Sequence, residues 1–251
     1  MAAKGTAEGT GEGSLTRYHR RRDFSRTAEP RGKPRHGTEG DQRGEAAERA
    51  GEGPGDGDRA ASFVVQIHDA STLHFDFRLE ADGVLKSFAV PKGPSDNPRE
   101  KRFATPTEDH PLEYRTFEGT IAAGGYGAGT VIVWDEGFYL NTTTDRHGRD
   151  VPLAEALDRG HASFRLNGRK LHGGYALTRI RTAAQEGREA WLLVKEADGR
   201  AGAAGTPDPR RARSARTGRT LGQVAAEETA KGDAGGNAGG NARGNAEGGR
   251  R

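Results

Sequence analysis

The chain has 251 residues and a net charge of +3, but only 32% of its residues are hydrophobic and 39 are glycine. This composition excludes a core that runs along the whole chain, and it predicts one globular domain with disordered flanks. The absence of cysteine excludes a disulfide framework, a thiolate metal site and a cysteine nucleophile. No apolar leader opens the chain and no run approaches the length of a membrane span, so we expect a soluble, cytoplasmic protein that does not bind membranes.

Three segments precede the first hydrophobic run. Residues 1–13 consist mainly of Gly, Ala, Glu and Thr, which predicts disorder. Residues 14–30 mix aromatic side chains with five arginines. Such a composition suits either a solvated tail or a basic arm that docks on the domain and contacts phosphate. Residues 31–61 are rich in Gly, Pro and charged side chains, which predicts a flexible linker.

Two runs with alternating polarity open the folded region. Apolar and polar residues alternate over 73–79, which predicts a strand with one face in the core. The polar face of this strand carries His74, Asp76 and Arg78. The run 63–68 alternates in the same way and ends at His68, and the residues between the runs are typical of a turn. A hairpin of the two strands would bring His68 close to that polar face.

The rest of the domain, predicted to span residues 62–197, reads as short strands between Gly and Pro turns. Further strands are predicted at 83–90, 130–134, 161–166, 174–181 and 190–195, and a helix at 150–160. This pattern favours a mostly β domain, either a barrel or a sandwich of antiparallel strands with one or two short helices. Residues 198–251 are of low complexity, which predicts a disordered tail whose Arg cluster is either solvated or in contact with nucleic acid.

The glycine-rich stretch 124–129 superficially suggests a phosphate-binding loop. That loop requires a following Lys-Ser/Thr and a helix, whereas a predicted strand follows here. A tight turn is the better interpretation. Farther upstream, Pro111 can open a helical turn, so His110 and Tyr114 would face the same way and supply a second group of polar side chains.

The side chains on the hairpin indicate phosphoester chemistry. His68, His74 and Asp76 form a set of two nitrogens and one oxygen that suits Mn, Fe, Zn or a similar divalent ion. Arg78 cannot bind a metal, but its planar fork matches phosphate oxygens. Metal-assisted hydrolysis is therefore favoured. Non-haem iron oxygenases also use two His and a carboxylate, but their second His lies far downstream, whereas His68 lies just upstream.

Several motifs resemble the 3′-phosphoesterase domain of bacterial DNA ligase D. They occupy residues 63–79, 83–95, 108–114, 117–121 and 125–129. The resemblance implies a compact β-barrel and a manganese-dependent enzyme. Such an enzyme removes a 3′-terminal ribonucleoside from DNA and then hydrolyses the remaining 3′-phosphate to a 3′-hydroxyl. Residues 122–125 depart from the family, which usually has Pro and Glu around this turn.

The resemblance also assigns roles to individual residues. It implies metal ligands at His68, His74 and Asp76, and catalytic or phosphate-binding residues at Arg78, His110, Tyr114, Arg102 and Lys92. Further functional positions would be Gln66, Glu108 and Asp109, together with Arg22, Asp23 and Glu29 from an arm that folds back onto the site.

The expected partners are DNA 3′ ends, such as a primer-template with a 3′-phosphate or a 3′-ribonucleotide. The chain lacks the Lys-x-Asp-Gly signature of a ligase and room for a polymerase domain. We therefore expect a free-standing, nucleoid-associated phosphoesterase that works with a separate ATP-dependent ligase, polymerase or end-binding protein. The competing hypothesis is a non-catalytic module that binds DNA ends and recruits a ligase.

Overall fold

The computed structural model describes residues 14–33, 60–180, 189–202 and 205–236. Within these ranges the sheet consists of β1 Ala61–Asp69, β2 Leu73–Ala81, β3 Val84–Val90, β4 Arg102–Pro106, β5 Gly119–Ile121, β6 Gly129–Asn141, β7 His161–Gly168, β8 His172–Ile180 and β9 Ala190–Lys195. The segment 1–13, most of the predicted linker and the last residues of the predicted tail lie outside the described ranges.

The strands close into a barrel. The order is β1-β2-β3-β4-β9-β8-β7-β6, and β6 pairs again with β1, so that eight antiparallel strands form a closed ring. Strand β5 adds to the start of β6 outside this ring. The predicted mostly β barrel is thus confirmed. Closure gives each of the eight strands a neighbouring strand on both sides.

Alternation along the strands produces two separate apolar clusters. Side chains from all eight barrel strands, including Phe63, Phe77 and Phe164, point inward and form the main core. The opposite face of β1 carries Val64, which belongs to a second cluster together with Tyr18 and other residues outside the barrel. Several polar side chains on this outer face of the hairpin are also buried, because further chain segments cover them. They include Gln66, His68, Asp76 and Arg78.

Short helical segments complete the domain. They are α1 Thr16–Arg20 in the N-terminal arm, a 3-10 turn Leu112–Thr116, α2 Leu153–Arg159 and α3 Leu221–Gly236. Helix α2 confirms the predicted helix; it begins after Pro152 and ends at Gly160, whose φ of 92° places it in the left-handed region that favours glycine. None of the helices in the described ranges has the length and apolar character needed to cross a membrane.

The structure differs from the sequence prediction in the C-terminal segment. Helix α3 packs against β5 and β6, and its side chains Leu221 and Val224 are buried with the main core. The backbone N–H of Ala215 donates to the carbonyl of Val133 at 2.8 Å. The prediction of disorder is therefore wrong for residues 205–236. Averaging composition over the whole tail concealed two apolar side chains at helical spacing.

Candidate active site

The β1–β2 hairpin places the three predicted metal ligands next to one another. In its register His68 lies opposite His74. His68 is thus close to the polar face of β2, as the alternation predicted. Nδ1 of His68 is 3.7 Å from one carboxylate oxygen of Asp76, and Nε2 of His74 is 3.7 Å from the other. These separations are too long for hydrogen bonds. They suit ligands of one ion, whose bonds to nitrogen and oxygen are about 2.0–2.2 Å long.

Backbone carbonyls fix the protonation of both imidazoles. Nε2 of His68 lies 2.8 Å from the carbonyl oxygen of Gly127, and Nδ1 of His74 lies 2.8 Å from that of Thr72. A carbonyl oxygen can only accept, so these two nitrogens carry the protons. The other nitrogen of each ring faces Asp76. This arrangement, in which an outer partner orients each imidazole, is typical of metal-binding histidines. The donor set fits a divalent ion.

The guanidinium of Arg78 is buried beside this set and has little freedom to move. Its Nε donates to Gln66 at 2.9 Å, Nη1 donates to Ser87 at 2.8 Å, and Nη2 donates to Asp76 at 3.0 Å. Gln66 is held in turn by the carbonyls of Tyr114 and Phe117. Ser87 is not among the site residues predicted from the sequence. Its pairing with Arg78 across the β2–β3 hairpin is the signal that identifies it.

The charge on Asp76 is stabilised despite its burial. Burial alone raises the pKa of this carboxyl, but the positive charge of Arg78 and the nearby rings of His68 and His74 outweigh it. The pKa of Asp76 is therefore held below its ordinary value. At neutral pH the group is an anion, which is the form that binds a cation.

His110 forms part of the opposite wall and is neutral at physiological pH. Its backbone pairs with Leu85, and its Nδ1 lies 2.8 Å from the carbonyl oxygen of Glu108 and 3.0 Å from Nη1 of Arg78. Nε2 lies 3.5 Å from Nη2 of Arg22, which can only donate, so in the neutral ring Nε2 carries the lone pair and Nδ1 donates to Glu108. Burial, followed by the positive charges of Arg78 and Arg22, holds the pKa of His110 well below its ordinary range.

Tyr114 faces the same way as His110, as Pro111 predicted. The two rings are 4.7 Å apart between centroids, and the Arg78 guanidinium lies 5.0 Å from the centre of the Tyr114 ring. The Tyr114 hydroxyl donates to Glu29 at 3.1 Å. Burial raises the pKa of Tyr114 well above its ordinary value. The phenol therefore keeps its proton at neutral pH.

The basic arm folds back onto this wall. Arg22 donates to Glu29 at 2.9 Å and to Glu108 at 2.5 Å, and its guanidinium lies 3.7 Å from the centre of the Tyr18 ring. Arg21, which the sequence analysis did not single out, donates to the second oxygen of Glu108 at 2.8 Å. These ion pairs connect residues far apart in the sequence and bury two carboxylates in the process.

Four sequence-predicted positions lie apart from this cluster. Asp23 is exposed and accepts hydrogen bonds from Ser25. Asp109 pairs with Lys86 at 2.7 Å and also contacts Ser14. Arg102 lies on β4 and pairs with Glu100. Lys92 is exposed on the loop after β3. Their functional roles stay predictions.

The fold and the site together define a closed antiparallel barrel that carries a candidate divalent-metal site beside a buried arginine. Residues 66–179 match the protein family described as the DNA Ligase D 3′-phosphoesterase domain. The resemblance predicted from the sequence motifs is thereby confirmed.

Relatives of known identity extend this likeness. The chain is 46% identical over 188 residues to the "Multifunctional non-homologous end joining protein LigD" of Pseudomonas aeruginosa, covering 74% of this chain and 19% of that protein. It is 44% identical over 165 residues to the "Multifunctional non-homologous end joining DNA repair protein LigD" of Mycobacterium tuberculosis, covering 66% of this chain and 18% of that protein. The chain thus spans about a fifth of the length of these relatives.

Proposed function

We propose that this protein is a metal-dependent DNA 3′-phosphoesterase that heals 3′ ends. It would remove 3′-terminal ribonucleosides and 3′-phosphates, and so leave 3′-hydroxyl ends for repair and ligation. The observation that carries the proposal is the position of Asp76, which lies between two imidazoles on one side and the guanidinium of Arg78 on the other. A metal ion and a phosphate would thus bind side by side. The match to the phosphoesterase family supports the same reaction.

The metal would be held by Nδ1 of His68, Nε2 of His74 and the carboxylate of Asp76. We propose Mn²⁺, following the resemblance, although the same ligand set accepts other divalent ions. A bound ion of this kind polarises a phosphoryl oxygen and lowers the pKa of water.

The remaining side chains would bind and orient the phosphate. Nη2 of Arg78 has two hydrogens, and Asp76 takes one of them, so the other is available to a phosphate oxygen. The neutral ring of His110 contacts both Arg78 and Arg22, and it would help to hold these two cations in place for the phosphate. Tyr114 and Glu29 fix each other by their hydrogen bond, and they would keep this wall in place while the phosphate reacts.

The substrate would be the 3′ end of a DNA primer-template. The end-joining names of the relatives support DNA as the substrate class. We propose that the healed end passes to a ligase, a polymerase or an end-binding protein on a separate chain. An enzyme that acts on chromosomal ends would work in the cytoplasm, in association with the nucleoid.

A 3′-end assay tests the proposal. The purified full chain is given a primer-template with a 3′-phosphate and a panel of divalent metals, and product ends are resolved on a gel. We expect the wild-type protein to release phosphate and leave a 3′-hydroxyl end with Mn²⁺. The His74→Ala and Asp76→Asn variants should release no phosphate. Replacement of His147, an exposed histidine, is the matched control and should leave activity unchanged.

Two outcomes would contradict the proposal in different ways. Normal activity in both variants would remove the site assignment. Tight binding of DNA ends without turnover under any metal would favour the non-catalytic end-binding module instead.

A further inference from the structure

A cavity of about 160 Å³ opens between the basic arm and the loop that follows β5. Arm residues between Arg21 and Glu29 form one wall, and residues 121–126 form the other. Three arginines, Arg21, Arg22 and Arg26, line it together with two carboxylates, those of Asp23 and Glu29. Positive charge is therefore in excess, which suits a group that carries negative charge. The three candidate metal ligands are not among the residues that line the cavity. The proposed reaction gives the cavity no role.

An exposed aromatic ring stands at this cavity. The side chain of Tyr126 is 51% exposed, although large apolar side chains in the described ranges are mostly buried. Gly124 and Gly127 lie on either side of it, with φ angles of 83° and 73° that residues with a side chain rarely adopt. The carbonyl of Gly127 accepts the hydrogen bond from Nε2 of His68. Tyr126 therefore immediately precedes the residue whose carbonyl orients His68, a candidate metal ligand.

A fixed positive charge lies against the ring. The Arg21 guanidinium is 4.3 Å from the centre of the Tyr126 ring, within the range of a cation–π contact. The ion pair of Arg21 with the buried carboxylate of Glu108 holds it there. An exposed ring with a neighbouring cationic groove is the combination by which proteins bind single nucleotides of a strand, since bases stack on the ring and phosphates contact the cations.

We propose that Tyr126, supported by Arg21, stacks against the base of the nucleotide that bears the scissile 3′-phosphate. This inference rests on the proposed function and names a subsite for its substrate. Tyr126 immediately precedes Gly127, whose carbonyl accepts from His68, so the nucleoside joined directly to the reacting phosphate is the group that would reach the ring. That nucleoside is common to 3′-phosphate and 3′-ribonucleotide substrates. Every base has a stacking face, so the subsite would accept all four.

A comparison of two substrates with two variants tests the subsite. Both primer-templates end in a 3′-phosphate, but in one the last nucleoside carries a base and in the other it is an abasic tetrahydrofuran. Loss of one stacked base weakens binding about 5- to 100-fold. We therefore expect Tyr126→Ala to raise KM by such a factor on the base-bearing substrate only. Tyr126→Phe keeps the ring and should behave like the wild type.

The control is Phe138→Ala. Phe138 is 57% exposed and lies opposite Ser62, at the other end of β1 from His68, so its replacement should change neither KM. An equal change on both substrates with Tyr126→Ala, or no change on either, would overturn the subsite while turnover still supports the proposed function. Fluorescence anisotropy with the same two DNAs measures binding without turnover, and so tests the subsite independently of the reaction. Base-dependent binding that needs Tyr126, without any turnover, would support the subsite and refute the phosphoesterase.

Discussion

Asp76 and Arg78 lie two residues apart on β2, and Nη2 of Arg78 donates to Oδ2 of Asp76 at 3.0 Å. Both side chains are buried, so the pair is shielded from solvent. Because Asp76 also faces His68 and His74, this one contact joins the candidate metal ligands to the candidate phosphate-binding residue. A shift of Arg78 would therefore change both the electrostatic environment of the candidate metal ligands and the position of the phosphate.

Replacement of Arg78 by Lys should impair catalysis more than its conserved charge suggests. Three donors of the guanidinium are used by Gln66, Ser87 and Asp76, and an ammonium cannot reproduce this planar arrangement. We expect kcat/KM for 3′-phosphate removal to fall about 10²- to 10³-fold. The exposed Arg165 on β7 is the matched control, and Arg165→Lys should retain activity. An Arg78→Lys enzyme with near wild-type kcat/KM would show that charge alone suffices.

Stability should depend on pH through His110. Its folded pKa is lowered, so below pH ~6.5 the unfolded chain binds a proton that the folded chain does not. The contribution of the neutral ring to the free energy of unfolding is fully present above that pH. This contribution should decrease by up to about 1.4 kcal/mol per pH unit as the pH falls toward the folded pKa.

Urea unfolding of the metal-free protein between pH 7.5 and pH 5 measures this effect. The His110→Gln variant cannot take up the proton, so its stability should fall less than that of the wild type over the same interval. Parallel curves for the two proteins would mean that His110 is not the group responsible. Work with a chelator present keeps metal binding by His68 and His74 out of the comparison.

The arm should detach when Arg22 is replaced. Arg22→Met removes both ion pairs and leaves the carboxylates of Glu29 and Glu108 buried, each 5% exposed, without this partner. Breaking such a pair costs about 3–5 kcal/mol when the remaining charge stays buried. Release of the arm would avoid most of that cost. We expect faster proteolysis within residues 14–33 and a higher KM, whereas Arg17→Met, at an exposed position on α1, should show neither.

The hairpin could be predicted from the sequence because two runs with period-two alternation are separated by a short segment of turn-forming residues. That pattern brought His68 close to the polar face of β2, and the structure adds the register in which it lies opposite His74. Contacts of the arm could not be predicted in this way, because Arg22 and Glu108 lie 86 residues apart and local periodicity carries no information about such pairs. Composition left residues 14–30 either solvated or docked on the domain, and only the family resemblance favoured docking. The same resemblance included Lys92 and Arg102, which lie outside the cluster.

Helix α3 gives the last prediction, since it is the element that composition concealed. Leu221 is 5% exposed and packs with the main core, so Leu221→Ala should lower the free energy of unfolding by about 2–5 kcal/mol. Thr229→Ala, at an exposed position on the same helix, should change it by less than about 0.5 kcal/mol. Thermal or urea unfolding measures both values. Equal stabilities of the Leu221→Ala variant and the wild type would show that the helix does not pack on the barrel in solution, and that residues 205–236 behave as the sequence predicted.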